Sequence, residues 1–158
     1  MADVKSNQVQ ALDKEPQDHL STGILTGRER VAQFKVDLSN ANSGDNVYLI
    51  DLPVNAYILE LNLFQDASDT TSFDVGDANQ ADGILDGQAI NQTVTVRAAN
   101  SNTTGTNGMG PDDFQKRLWE VLGYSSQVAA GSAIRLTAVP QSSPGSNNLF
   151  GYIRYVVD

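Results

Sequence analysis

Ten carboxylates stand between Val36 and Val96 with no lysine or arginine among them: Asp37, Asp45, Asp51, Glu60, Asp66, Asp69, Asp74, Asp77, Asp82 and Asp86. Six of them fall within residues 66–86. Like charges at this density repel unless water, a cation or a basic partner neutralises them. Three chemistries follow. Calcium is one, because carboxylates and carbonyls on a glycine-containing loop are its natural ligands. Asp74, Asp77, Asn79 and Asp82 are the candidate ligands, although the run from Asp77 to Gly83 misses EF-hand spacing by one residue and lacks a closing glutamate. A second reading is an electrostatic dock for a basic partner, with Asp66, Asp69, Asp77, Asp82 and Asp86 as contacts. The third is a loop face that is simply solvated.

Enzyme chemistry finds little to work with. There is no cysteine, which excludes thiolate nucleophiles, disulfides and thiolate metal sites. The one histidine, His19, lies in a polar stretch near the start, a poor place for a Ser-His-Asp triad. Carboxylates could pair as in a glycosidase, but only Asp51 and Glu60 sit in strand-like surroundings, and Glu60 reads most simply as an outward strand residue. Gly105-Thr106-Asn107-Gly108-Met109-Gly110 has neither phosphate-loop spacing nor a following Lys-Ser/Thr. No catalytic residue and no cofactor is expected.

Composition bounds the rest. A chain of 158 residues and 16.9 kDa makes one domain. Forty per cent apolar residues supply a core, while no run approaches a spanning helix, so no membrane partner is expected. A net charge of −9 argues against nucleic acid, whose binding depends on lysine and arginine displacing counterions. Residues 1–16 lack the apolar core of a secretory signal, so folding in a cytosol is expected.

Residues 1–29 read as an extended or disordered arm, because this polar stretch buries too little surface to offset its ordering entropy. Residues 30–158 read as the folded domain. Within it, alternation predicts strands at Val31–Leu38, Val47–Leu52, Tyr57–Phe64, Thr71–Val75, Gln92–Ala98, Ala133–Val139 and Leu149–Val157. In the third of these, Tyr57, Leu59, Leu61 and Leu63 are expected to share a face. One helix is expected at Pro111–Leu122: Pro111 opens it, Phe114, Leu118, Val121 and Leu122 form its apolar stripe, and Gly123 stops it. Trp119 beside that stripe reads as a helix–sheet anchor. Tyr152 and Tyr155 read as cross-strand packing rather than a sugar platform. Arg97, Arg135 and Arg154 are placed on strands to balance nearby acids. Short strands between turn-rich loops define the fold class: all-β, an antiparallel β-sandwich or jelly-roll-like barrel with one short helix and an N-terminal arm.

The order of motifs carries a resemblance. Ala56-Tyr-Ile-Leu-Glu-Leu-Asn-Leu-Phe64 is followed by Thr71-Ser-Phe-Asp-Val-Gly-Asp-Ala-Asn-Gln-Ala-Asp-Gly-Ile-Leu-Asp-Gly87, then Arg117-Leu-Trp-Glu-Val-Leu-Gly123 and Gly151-Tyr-Ile-Arg-Tyr-Val-Val157. Over residues 30–157 this resembles the small head decoration, or cement, proteins of tailed bacteriophages. The resemblance implies a non-enzymatic protein on the capsid surface of the virion, made in the host cytoplasm. Its implied partners are the major capsid protein and further copies of itself, as a homotrimer. Contacts would come from the acidic segment and from His19, Leu20, Ile24 and Leu25 of the arm. Two alternatives stay open: a tail or receptor-binding virion component, and a calcium-dependent carbohydrate-binding module. The latter needs exposed aromatics on one face, whereas the aromatics here are expected to turn into the core.

Overall fold

The computed structural model describes residues 3–5, 10, 13, 29–66, 71–90, 94–97, 109, 113 and 116–157. In chain order the elements are β1 (Asp3–Lys5), β2 (Glu29–Asp37), β3 (Asn46–Pro53), β4 (Tyr57–Gln65), β5 (Ser72–Gly76), β6 (Leu85–Ala89) and β7 (Val94–Arg97). Two four-residue helices follow, α1 (Leu118–Val121) and α2 (Gln127–Ala130), then β8 (Ala133–Pro140) and β9 (Asn148–Val156). The strands form two sheets, ordered β1-β3-β8-β5-β6 and β2-β9-β4-β7. The fold is an all-β sandwich. Its pairings are antiparallel, except that β1 runs parallel to β3.

Alternating residues create the shared core. Phe34 and Val36 of β2, Leu149 and Ile153 of β9, and Ile58, Leu61 and Leu63 of β4 are buried on the four-stranded sheet. Val47 and Leu52 of β3, Ile134 and Leu136 of β8, and Phe73 and Val75 of β5 meet them from the five-stranded sheet in one apolar cluster. Each such side chain contributes roughly 1.5–3 kcal/mol relative to exposure. Gly151 of β9 is needed for this packing: a Cβ there would lie 2.5 Å from the Asn62 carbonyl oxygen and 2.5 Å from Phe34 Cζ.

Three expectations change. The face expected for β4 is broken by a register shift between Ile58 and Glu60. The extra residue, Leu59, takes up the bulge, so Ile58 joins Leu61 and Leu63 inside while Tyr57 and Leu59 are only half-buried. The long helix is replaced by α1, because Arg117 is extended (φ −71°, ψ 156°) and the next two backbone N–H groups are claimed by the β3–β4 turn. Leu118 N–H donates to Ala56 O at 2.8 Å and Trp119 N–H to Val54 O at 3.2 Å. Pro111, Asp112, Phe114 and Gln115 lie outside the described residues. A second helix, α2, starts where the Ser126 hydroxyl accepts from Ala129 N–H at 3.2 Å. It carries Val128, 90% exposed.

Candidate interaction surface

The acidic segment divides rather than forming one charged face. Chain direction at the end of β5 is set by Gly76, where a Cβ would fall 1.9 Å from the Gln80 carbonyl oxygen. The chain then turns about Asp77. This side chain is buried, and its Oδ1 accepts from Asn79 N–H at 3.0 Å and Gln80 N–H at 2.9 Å. Its Oδ2 accepts from the Tyr124 hydroxyl at 2.5 Å. That hydrogen bond, followed by burial, pushes the Tyr124 phenol up to about 12. Asn79 Nδ2 donates to the Leu122 carbonyl at 2.7 Å, a second tie between this loop and the end of α1.

The other acids differ in setting. Asp74 Oδ1 accepts from Gly87 N–H at 2.7 Å and from Gln141 Nε2 at 3.0 Å. Asp66 is exposed and accepts from the Asn148 backbone at 2.8 Å and its side-chain amide at 2.6 Å. These bonds hold the Asp66 carboxyl below its ordinary value. Asp82 and Asp86 are half-buried. Asp69, His19, Leu20, Ile24 and Leu25 lie outside the described residues. Of the four calcium candidates, Asp77 has both oxygens engaged by protein donors and Asn79 turns its amide nitrogen to α1. Among the described residues no group of three or more His, Cys, Asp or Glu is placed to hold a metal ion.

The outer face of the four-stranded sheet offers a different surface. The register β2-β9-β4 sets Lys35, Phe150 and Phe64 in one row, and Gln33, Tyr152 and Asn62 in the next. Phe64 and Phe150 stack with centroids 5.4 Å apart and planes 4° from parallel. Lys35 Nζ lies 5.2 Å from the Phe150 centroid, within cation–π reach. Gln33, Lys35, Phe64, Phe150 and Tyr152 line a shallow hollow of about 370 Å3. A neighbouring row is ionic: Arg154 bonds Glu29 through Nε at 2.6 Å and reaches Glu60 at 3.4 Å, while the Tyr152 hydroxyl donates to Glu60 at 2.7 Å. On the opposite sheet, Asp51 grips Arg135 with two bonds of 2.8 and 3.0 Å. Arg135 and Arg154 thus balance carboxylates of neighbouring strands. For Arg97 the register places its backbone opposite Glu60.

Aromatic orientation corrects the sequence reading. Phe34, Phe73 and Tyr155 are buried, but Phe64, Phe150 and Tyr152 stand half-exposed on this outer face. The signal was present in β9, whose alternation sets Phe150, Tyr152 and Arg154 on one side; only the identity of that side was missing. Trp119 packs partly buried against the core. A half-exposed mix of rings, amides and paired charges has the makings of a protein contact surface.

No known protein family matches the sequence, and no characterised protein does. Solved structures do match the fold. A chain from the capsid of Ralstonia phage GP4 aligns over 99% of both chains with a TM-score of 0.59 at 15% identity. A chain from the capsid asymmetric unit of cyanophage Pam1 aligns over 92% of this chain and 97% of its own, with a TM-score of 0.54 at 14% identity. At such identities the likeness is one of fold: this chain shares its sandwich, nearly end to end, with chains found in two phage capsids.

Proposed function

We propose that this chain is a phage virion structural protein of the decoration type, which binds the outer surface of the capsid, reinforces it, and performs no catalysis. The observation that carries this reading is the near end-to-end fold likeness to chains in two phage capsids. The sheet face around Phe64, Phe150 and Lys35 supports it, because rings and amides on a rigid sheet suit contact with another protein. The partner is the major capsid protein, with self-association as a homotrimer. A repeating shell turns a modest affinity per copy into strong retention by avidity. Asp66, Asp69, Asp82 and Asp86 add charge contacts to a basic patch on the shell, and His19, Leu20, Ile24 and Leu25 add arm contacts. Asp77 drops out of the contact set, since its carboxylate is turned inward to Tyr124.

The test is to mix purified protein with heads that lack it and image the particles. Density over the capsomers, with heads surviving higher temperature, is the expected result. Density only at the tail or a vertex supports the tail or receptor-binding alternative, and bare particles sink both.

The outward rings are the one observation that favours a carbohydrate-binding module. Calcium separates the readings. With Asp77 occupied by its own chain, millimolar calcium is expected to leave the melting temperature unchanged, whereas a rise of several degrees would favour the module.

A further inference from the structure

The hold of β1 on the rest of the molecule is small. Asp3, Val4 and Lys5 pair with Asn46, Val47 and Tyr48 at the edge of the five-stranded sheet. Val4 rests against the margin of the core. Lys5 Nζ lies 2.8 Å from Asp13 Oδ2, with both side chains more than a third exposed (37% and 36%). Asp13 Oδ1 lies 3.5 Å from Arg135 Nη2. Ion pairs this exposed stabilise little on their own. Yet the receiving surface is built without β1: β3 is held by six register pairs to β8, and Arg135 is oriented by Asp51 and by the Tyr48 ring 5.5 Å away.

The chain then continues to the other sheet. β2 begins at Glu29, so 15 residues, 14–28, separate it from Asp13. Fifteen residues span at most about 50 Å, against roughly 35 Å across a domain of this size. Nothing in the contact itself requires that β1 and β3 belong to the same copy.

We propose that β1 is an exchange strand, docking on β3 of a second copy in the register seen here, with Asp13, paired to Lys5 of its own chain, meeting that copy's Arg135. The proposal rests on the assembly reading above, which supplies neighbouring copies. The contacts are identical within one chain and between two, so the balance is set by the local concentration of β3 edges. A dilute chain closes on itself, and copies standing side by side exchange.

The absence of cysteine gives a clean test. Asp3 and Asn46 are register partners, and neighbouring strand positions lie within disulfide reach. D3C and N46C chains carrying tags of different mass are refolded together at high concentration. One portion is kept free and another added to heads, and both are oxidised and run on a non-reducing gel. The expected product is a covalent pair containing one chain of each kind, in either portion, increasing with concentration. The D3C/N46C double variant is run alongside. If it closes within single chains and the mixed singles give no cross-chain pair in either portion, exchange is overturned. If it closes no bond at all, β1 does not lie on β3 and exchange is overturned as well. Imaging reads the assembly proposal separately: heads that carry the protein with only intrachain bonds sink exchange alone.

Discussion

Asp77 and Tyr124 show how one side chain can be misread from its neighbours in sequence. Asp77 belongs to an acidic run, yet its partner stands 47 positions away and the pair faces inward. Sequence reveals the run and not the distant phenol. Tyr124→Phe is expected to cost roughly 1.5–3 kcal/mol in urea unfolding at neutral pH, the worth of a hydrogen bond to a charged group. Because folding raises the phenol from 10.0 to about 12, the folded state keeps its proton where the unfolded state has lost it. The bond's contribution is therefore complete below pH 10 and fades between pH 10 and 12. Melts of native protein and variant across that window should converge. The carboxyl of Asp66 runs the other way: its pKa is lowered from 3.8, so its contribution is present above that pH and disappears as pH falls through the folded value. Asp66→Asn should flatten the acid limb of the stability curve. Gly151→Ala is expected to lose roughly 1–3 kcal/mol by overpacking, read as a lower denaturant midpoint, because a backbone oxygen of β4 stands where the methyl would go.

Strands were legible wherever apolar and polar residues alternate without interruption. β2, β8 and β9 fall within two residues of their expected bounds. β6 was missed because Leu85-Asp-Gly-Gln-Ala89 alternates only faintly, Gly87 and Ala89 offering little apolar surface beside Leu85; its place follows from pairing with β5. β1 was missed for a similar reason, being three residues in a polar stretch. In β4 the residues were read as a strand but a bulge shifted which ones face inward, and nothing local in Tyr57-Ile-Leu-Glu announces it. The helix failed differently. Its periodicity was real, but tertiary hydrogen bonds from the β3–β4 turn displaced the local preference, leaving one capped turn with Glu120 Oε2 accepting from Arg117 N–H at 2.8 Å. Packing holds so short a helix, through fully buried Leu118 and Leu122. Leu118→Ala is therefore expected to destabilise by about 2–5 kcal/mol, seen in thermal melts, whereas Val128→Ala on exposed α2 should change stability by less than about 0.5 kcal/mol.

At the scale of the whole molecule, the fold class was readable from strand number and turn composition, while the contact surface was not, because it depends on which side of each strand meets solvent. The outer rings of the four-stranded sheet give a specific expectation under the decoration reading. Phe150→Ala should weaken attachment to heads by about tenfold or more, the scale of an interface hot spot, measured by co-sedimentation. Its half-exposed position makes the accompanying loss of fold stability the smaller effect. The sheet orders carry a separate consequence for how the polypeptide comes into being on the ribosome. β8 lies between β3 and β5, and β9 between β2 and β4, yet these two strands follow all the others in the sequence. Earlier strands therefore emerge with their central neighbours still to be translated. Neither sheet can be completed co-translationally in stages, and the fold must be reached as a late, concerted event in which distant segments meet at once.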